Sequence, residues 1–316
     1  NLNLIDRLIK KLAKLKKINN KTRILEIASN DGTFLKEIQK KFGSYVLGVD
    51  PAKNFKKLYK KKKIKFFCNF FKKNISTKIL RNEKKFDLII ARNVIAHVPN
   101  PNEIFWEAKK LLNNNGIFLV EFPSLLTIYK GLQYDNVFHE HVGYHSLKSV
   151  IDLANRNELK LHDLSIIESQ GTSLRCFFKK ENNFKENKKI KYYLSKEKNN
   201  KLYNINTWSK FAYRVKQHSS RLKVFLKNLK KKKKKISVYG ASGKGQSLLQ
   251  FNKIDKSLID YVFDKSTLKI GKFTPGSNIR ILSPSKIDKS KVDFILLMAW
   301  NLKKEILLEN QKFVKR

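Results

Sequence analysis

"RILEIASNDGTFL", residues 23–35, decides the fold. Its first half, "RILEIA" (23–28), is an apolar run of strand length. From Thr33 onward, "TFLKEIQKKF" carries apolar residues at helical spacing. Small and polar turn formers lie between them. A strand that runs through a tight turn into a helix opens a parallel α/β unit. The alternation continues outward. "YVLGV" (45–49), "IKFFC" (64–68), "FDLIIA" (86–91) and "GIFLVEF" (116–122) read as strands. "NEIFWEAKKLL" (102–112) reads as a helix with Pro101 at its first position, Asn100 and Glu103 as a capping box, and Asn113-Asn114-Asn115-Gly116 as its stop. Strands alternating with helices predict a parallel sheet covered on both faces. "LKLHDLSIIE" (159–168) and "TSLRCFFKK" (172–180) leave no room for a crossover helix, so they are expected as an antiparallel hairpin at the sheet edge.

Past residue 182 the chain becomes rich in Lys and Asn. "WSKFAYRVKQHSSRLKVFLKNLKKK" (208–232) then predicts a long helix. A second α/β unit starts at "ISVYGASGKG" (236–245), with "LIDYVFD" and "VDFILLMAW" as its later strands. The expected division is a first domain over 1–182, a helical connector over 183–235 and a smaller Rossmann-like domain over 236–316.

The chain has 316 residues, 41% of them hydrophobic, enough for two cored domains. No apolar stretch is long enough to span a bilayer, so no membrane insertion is expected. The basic, amphipathic N-terminus lacks an apolar signal core. Two cysteines, Cys68 and Cys176, exclude a disulfide scaffold and fit a reducing cytoplasm. The formal charge is +43. The lysines recur in every segment and are not interleaved with stacking aromatics on one face. A specific nucleic-acid partner is therefore not expected.

The turn after the first strand has the pattern Glu26-x-Ala28-x-Asn30-x-Gly32. Asp50 ends the second strand, where an acidic residue accepts the hydroxyls of a ribose. The glycine pattern that brings a backbone against a pyrophosphate is incomplete. A nucleoside cofactor without phosphates, such as S-adenosylmethionine, suits the turn better than a dinucleotide. Asn69 follows the third strand, and Asn93 and His97 lie in the loop after the fourth, where open α/β sheets place ligands. Downstream, "YDNVFHEHVGYHS" (134–146) crowds His139, His141 and His145 together. A metal-dependent hydrolase using these histidines is one alternative.

"EIASNDGTFL", "GVDPAKN", "ARNVIAHVPNP", "YDNVFHEHVGYHS", "GTSLR", "YGASGKGQSLL" and "AWNLKKEI" occur in an order that resembles the S-adenosylmethionine-dependent nucleotide-sugar C-methyltransferases. The resemblance runs from about residue 22 to about residue 307. It implies a class I methyltransferase sheet followed by a smaller Rossmann-like domain, and C-methylation of a keto-deoxysugar through an enolate. His141 would be the base, with Glu140 and His97 positioning the sugar. Glu26, Ala28, Asn30, Gly32, Asp50, Asn69 and Asn93 would hold the donor. Tyr134, His139, Arg175, Tyr239, Gly240 and Lys244 would face the nucleotide-sugar. The resemblance implies a cysteine-rich zinc domain ahead of this stretch, but no cysteine pair precedes residue 22, so that domain is either lost or truncated, and no zinc is expected in this chain. Phe138 stands where the family has tyrosine, and Gln170 where histidine is common. An inactive remnant that binds nucleotide-sugar is the runner-up. The nucleotide-sugar is the expected partner, and the expected state is a monomer.

Overall fold

The computed structural model describes residues 2–15, 17–168, 171–180, 187–288 and 291–311. Gln170 lies outside the described residues. In chain order the elements begin α1 (Leu2–Leu15), β1 (Arg23–Ile27), α2 (Thr33–Phe42), β2 (Tyr45–Val49), α3 (Lys56–Lys62), β3 (Lys65–Phe67), α4 (Lys73–Asn82), β4 (Phe86–Arg92), α5 (Pro101–Leu111), β5 (Leu112–Pro123) and α6 (Leu125–Lys130). They continue with α7 (Leu147–Arg156), β6 (Lys160–Ile167), β7 (Ser173–Lys179), α8 (Lys188–Asn199), α9 (Ile205–Lys231), β8 (Ile236–Tyr239), α10 (Gly243–Phe251), β9 (Tyr261–Phe263), β10 (Ile281–Leu282), β11 (Phe294–Leu297) and α11 (Lys303–Glu309). Among the described residues no helix is long and apolar enough to cross a membrane.

The chain divides into two compact units. One comprises 1–125, 142–168 and 172–200; the other comprises 126–141, 169–171 and 201–316. The first unit holds a seven-stranded sheet in the order β3-β2-β1-β4-β5-β7-β6. β1 to β5 are parallel, and β7 enters antiparallel between β5 and β6. The β6–β7 pair is the expected edge hairpin. Leu8 and Leu12 of α1, Phe34 and Ile38 of α2, and Ile24, Val46 and Leu88 of the strands form one core.

The sequence misplaces two local details. Asn100 caps α5 by accepting from the Asn102 N–H at 3.2 Å. Glu103, however, accepts from the Lys73 N–H at 3.2 Å, at the start of α4. A tertiary partner has displaced the reciprocal half of the capping box. The Asn113–Gly116 run does end the helix, but it is drawn into β5, whose register against β4 shifts between Phe86 and Leu88. The lysine clusters at 60–63 and 230–235 sit at the C-terminal ends of α3 and α9. There the helix dipole favours cations.

The second unit repeats the first four strands of the first. Its sheet has the order β10-β9-β8-β11, all parallel. This matches β3-β2-β1-β4. The likeness reaches single hydrogen bonds. Asp50, after β2, accepts the Asn30 N–H on Oδ2 at 3.0 Å and the Ala52 N–H on Oδ1 at 2.9 Å. Asp264, after β9, accepts the Ala241 N–H on Oδ2 at 2.7 Å and the Ser266 N–H on Oδ1 at 2.8 Å. In both units a carboxylate at the end of the second strand ties down the turn that follows the first.

Candidate active site

The C-terminal ends of β1 and β4 lie side by side in register. The turns that leave them hold Ala28 (φ 52°), Asn30 (φ 49°), Gly32 (φ 71°) and Asn93 (φ 53°) in the left-handed region. Such conformations cost side-chain-bearing residues about 1–3 kcal/mol each and collect where a ligand needs close approach. A Cβ on Gly32 would stand 2.7 Å from the Tyr59 ring. The Tyr59 hydroxyl in turn donates to Ser29 Oγ at 2.6 Å. The turn is therefore clamped from below, and burial pushes the Tyr59 phenol far up.

Glu26, Asp31 and Asp50 surround this turn. They make an acidic island in a chain of charge +43. Burial would raise the Asp31 carboxyl, but the Thr33 hydroxyl and N–H, with Lys62, hold it below the usual carboxylate range. Glu26 is 1% exposed and pairs through Oε1 with Arg92, at 3.0 Å to Nε and 2.5 Å to Nη2. Burial pushes the Glu26 carboxyl up against the pull of Arg92. Glu26 Oε2 and Asn93 Oδ1 are buried and meet no hydrogen-bond donor. Unsatisfied buried acceptors cost about 1–3 kcal/mol each, so a ligand that donates to them is expected here. An ammonium beside a sulfonium fits that requirement. A pyrophosphate would meet three carboxylates. Asn69, by contrast, is exposed, and its Oδ1 accepts from the Phe70 N–H at 2.9 Å.

The histidine-rich stretch resolves into separate roles. The His141 ring lies against Phe138, with centroids 4.2 Å apart. Its Nδ1 is 2.9 Å from the Asn136 carbonyl. A carbonyl only accepts, so Nδ1 carries the proton and the lone pair of the neutral ring is on Nε2. His139 and Glu140 are exposed, 3.9 Å apart. His145 donates from Nε2 to the Ile95 carbonyl at 3.2 Å, and burial lowers its pKa. The loop that carries exposed His97 is fastened through Ala96, whose carbonyl accepts from Val142 and Gly143. Among the described residues no His, Cys, Asp and Glu group could hold a metal ion.

Tyr134 is buried, its hydroxyl 3.1 Å from both His218 Nδ1 and Asn252 Nδ2. Beside it, buried Asp135 accepts from the Trp300 indole at 2.7 Å. Burial lowers the Lys244 pKa, and Asp135 opposes this. Tyr239 is buried, with no hydrogen-bond partner for its hydroxyl. Gly240 (φ 104°) passes so close to Ala299 that a Cβ would fall 2.8 Å from the Ala299 methyl. Arg175 lies inside the first unit's sheet, its Nε and Nη2 each 3.0 Å from Glu121 Oε2. Sequence reasoning missed Arg92, Asp135 and Trp300. Each sits in or next to a quoted motif, but a pairing across tens or hundreds of residues leaves no local signal.

Residues 2–164, just over half of the chain, match a family described as a methyltransferase domain. Residues 168–316 match a family described as a C-methyltransferase C-terminal domain. The chain belongs to the methyltransferases. It is an S-adenosylmethionine-dependent enzyme of this family, in keeping with the acidic turn and its orphaned acceptors. The methyltransferase is 28% identical over 292 residues to the C-methyltransferase NovU of Streptomyces niveus, covering 92% of this chain and 69% of that one. It is also 28% identical over 154 residues to a ubiquinone biosynthesis O-methyltransferase of Pelagibacter ubique, covering 45% and 63%. A solved S-adenosylmethionine-dependent methyltransferase from Clostridium acetobutylicum superposes with a TM-score of 0.43 at 14% identity, over 55% of this chain and 89% of that one.

Proposed function

We propose that this methyltransferase places a methyl group on a carbon of a keto-deoxysugar carried on a nucleotide. The similarity to a C-methyltransferase over most of the chain supports carbon as the acceptor. The observation that carries the reading is the tautomer of His141. With Nδ1 anchored on the Asn136 carbonyl, Nε2 is the basic nitrogen of the neutral ring, and an imidazole so placed suits removal of a proton from a carbon next to a carbonyl.

When bound, S-adenosylmethionine supplies an electrophilic methyl group. Glu26 and Asn93 would take its ammonium. Asp50 would take its ribose, and the left-handed turn of Ala28, Asn30 and Gly32 would lie along it. Glu140 and His97 would orient the sugar, while Lys244, Tyr239 and the Gly240 turn would receive the nucleotide side.

The test separates proton removal from methyl transfer. A nucleotide-linked keto-deoxysugar is incubated with the protein in deuterated water without donor. Wild type should wash deuterium into the carbon beside the carbonyl, and His141→Ala should not. Exchange that persists in His141→Ala would remove the base assignment.

A further inference from the structure

Four charges, three buried and Arg92 half-buried, cross the first unit's sheet in alternation, one per strand on β1, β4, β5 and β7. Glu26, the last residue but one of β1, pairs with Arg92, the last residue of β4. Arg92 stands opposite Glu121 of β5 in register, and the Glu121 charge acts on its guanidinium. Glu121 stands opposite Arg175 of β7 and is held by a hydrogen bond from its Nε and an ion-pair contact with its Nη2. Glu26, Glu121 and Arg175 are 1%, 4% and 6% exposed. Glu26 stands opposite Ile90, two residues before Arg92 and so on the same face as it, while Arg92, Glu121 and Arg175 are directly opposed in turn; the four groups therefore form one row. The row is neutral in sum, and each member's field falls on the next in a low-dielectric interior.

We propose that Arg92, Glu121 and Arg175 are positioning residues for the methyl donor: the row keeps Glu26 ionised, with Oε2 turned to the donor's ammonium. Arg175 thus serves the donor side through the sheet and does not contact the sugar. The inference rests on the donor reading of the Glu26 turn. Its physical content is a competition. Arg175 neutralises Glu121, which leaves Arg92 to Glu26. Without Arg175, Glu121 draws Arg92 towards β5, and Glu26 loses its counter-charge.

The groups that face Glu26 are Arg92 from β4, Asp31 from the turn before α2, Asp50 from the end of β2 and Tyr59 from α3. Arg92 alone among them favours the carboxylate. Weakening its hold therefore raises the Glu26 carboxyl further, and the acid limb of donor binding should move to higher pH.

The experiment is calorimetric titration with S-adenosylhomocysteine, which retains the ammonium, between pH 5 and 8. Thermal unfolding is recorded on the same samples. Arg175→Met should weaken binding about tenfold, or about 1.4 kcal/mol, and shift the acid limb upward. Arg175→Lys should restore part of the loss. The double variant Glu121→Gln with Arg175→Met, which removes the competitor as well, should return to within about threefold of wild type. Wild-type affinity and pH profile in folded Arg175→Met would overturn the inference alone. If Arg175→Met does not fold, a double variant that binds as weakly as Glu26→Gln overturns it instead. Absence of binding by the wild-type protein would overturn the donor reading and this inference with it.

Discussion

Trp300→Phe tests how the second unit holds the loop that carries His141. The indole N–H donates to Asp135 Oδ2 at 2.7 Å, and Asp135 is 4% exposed. A hydrogen bond to a charged group contributes about 1.5–3 kcal/mol, and removing the donor leaves a buried carboxylate short of one partner. The indole also fills space. A Cβ on Gly171 would lie 2.4 Å from its ring, so the backbone at Gly171 runs directly against it. Phenylalanine withdraws atoms from that contact at a further cost of about 1 kcal/mol. The sum is about 3 kcal/mol. For a unit of this size that lowers the unfolding midpoint by about 10 °C. Asp135→Asn is the counterpart. It keeps an acceptor for the indole but takes the counter-charge from Lys244, whose burial already lowers its pKa. It should cost about 1 kcal/mol, and the double variant should cost less than the two singles combined, by a coupling of about 1–2 kcal/mol. Scanning calorimetry on the three variants reads these values. Additive losses, or a Trp300→Phe midpoint within about 1 °C of wild type, would show that the indole hydrogen bond does not hold the loop.

Gly32→Ala should weaken S-adenosylhomocysteine binding and cost about 1–3 kcal/mol of stability, because φ is 71° and the new methyl meets Tyr59 at 2.7 Å; calorimetry and thermal unfolding check both. Tyr59→Phe removes the bond to Ser29 Oγ and should cost about 1 kcal/mol, with a smaller loss of donor affinity than Gly32→Ala. His145 supplies a pH dependence. Its folded pKa is depressed below the usual 6.5 by burial, so the unfolded chain binds the proton first on acidification. Its stabilising contribution is complete above 6.5 and is lost as pH falls through the folded pKa. Denaturant titrations from pH 8 to pH 5 should show that slope in wild type and a shallower one in His145→Gln. An unchanged slope would remove His145 from the acid response.

The sheet was legible because its strands are apolar runs punctuated by turn formers, and the edge hairpin because "IIE" to "TSL" leaves too little chain for a crossover. The tight turn after β1 was legible at Ala28, Asn30 and Gly32 and its acidic neighbours at Glu26 and Asp50, whose types and spacing are local. The row from Glu26 to Arg175 was not. Its pairs are 66 and 54 residues apart, and only the strand register brings them together. The capping box failed at Glu103 for a related reason: the sequence shows its partner Asn100 three residues back but not the helix start at Lys73 that claims the carboxylate. Around "HEH" the sequence shows a cluster of like side chains. What separates them is the carbonyl each ring nitrogen reaches, Asn136 for His141 and Ile95 for His145. That depends on backbone placement.

The second unit is assembled from stretches that the chain visits out of order, with 126–141 counted to it between two segments of the first. It therefore has no single border at which a gene could be cut. A recombination that exchanged only the C-terminal half would deliver a new unit against an inherited 126–141, with Asp135 and Trp300 drawn from different parents.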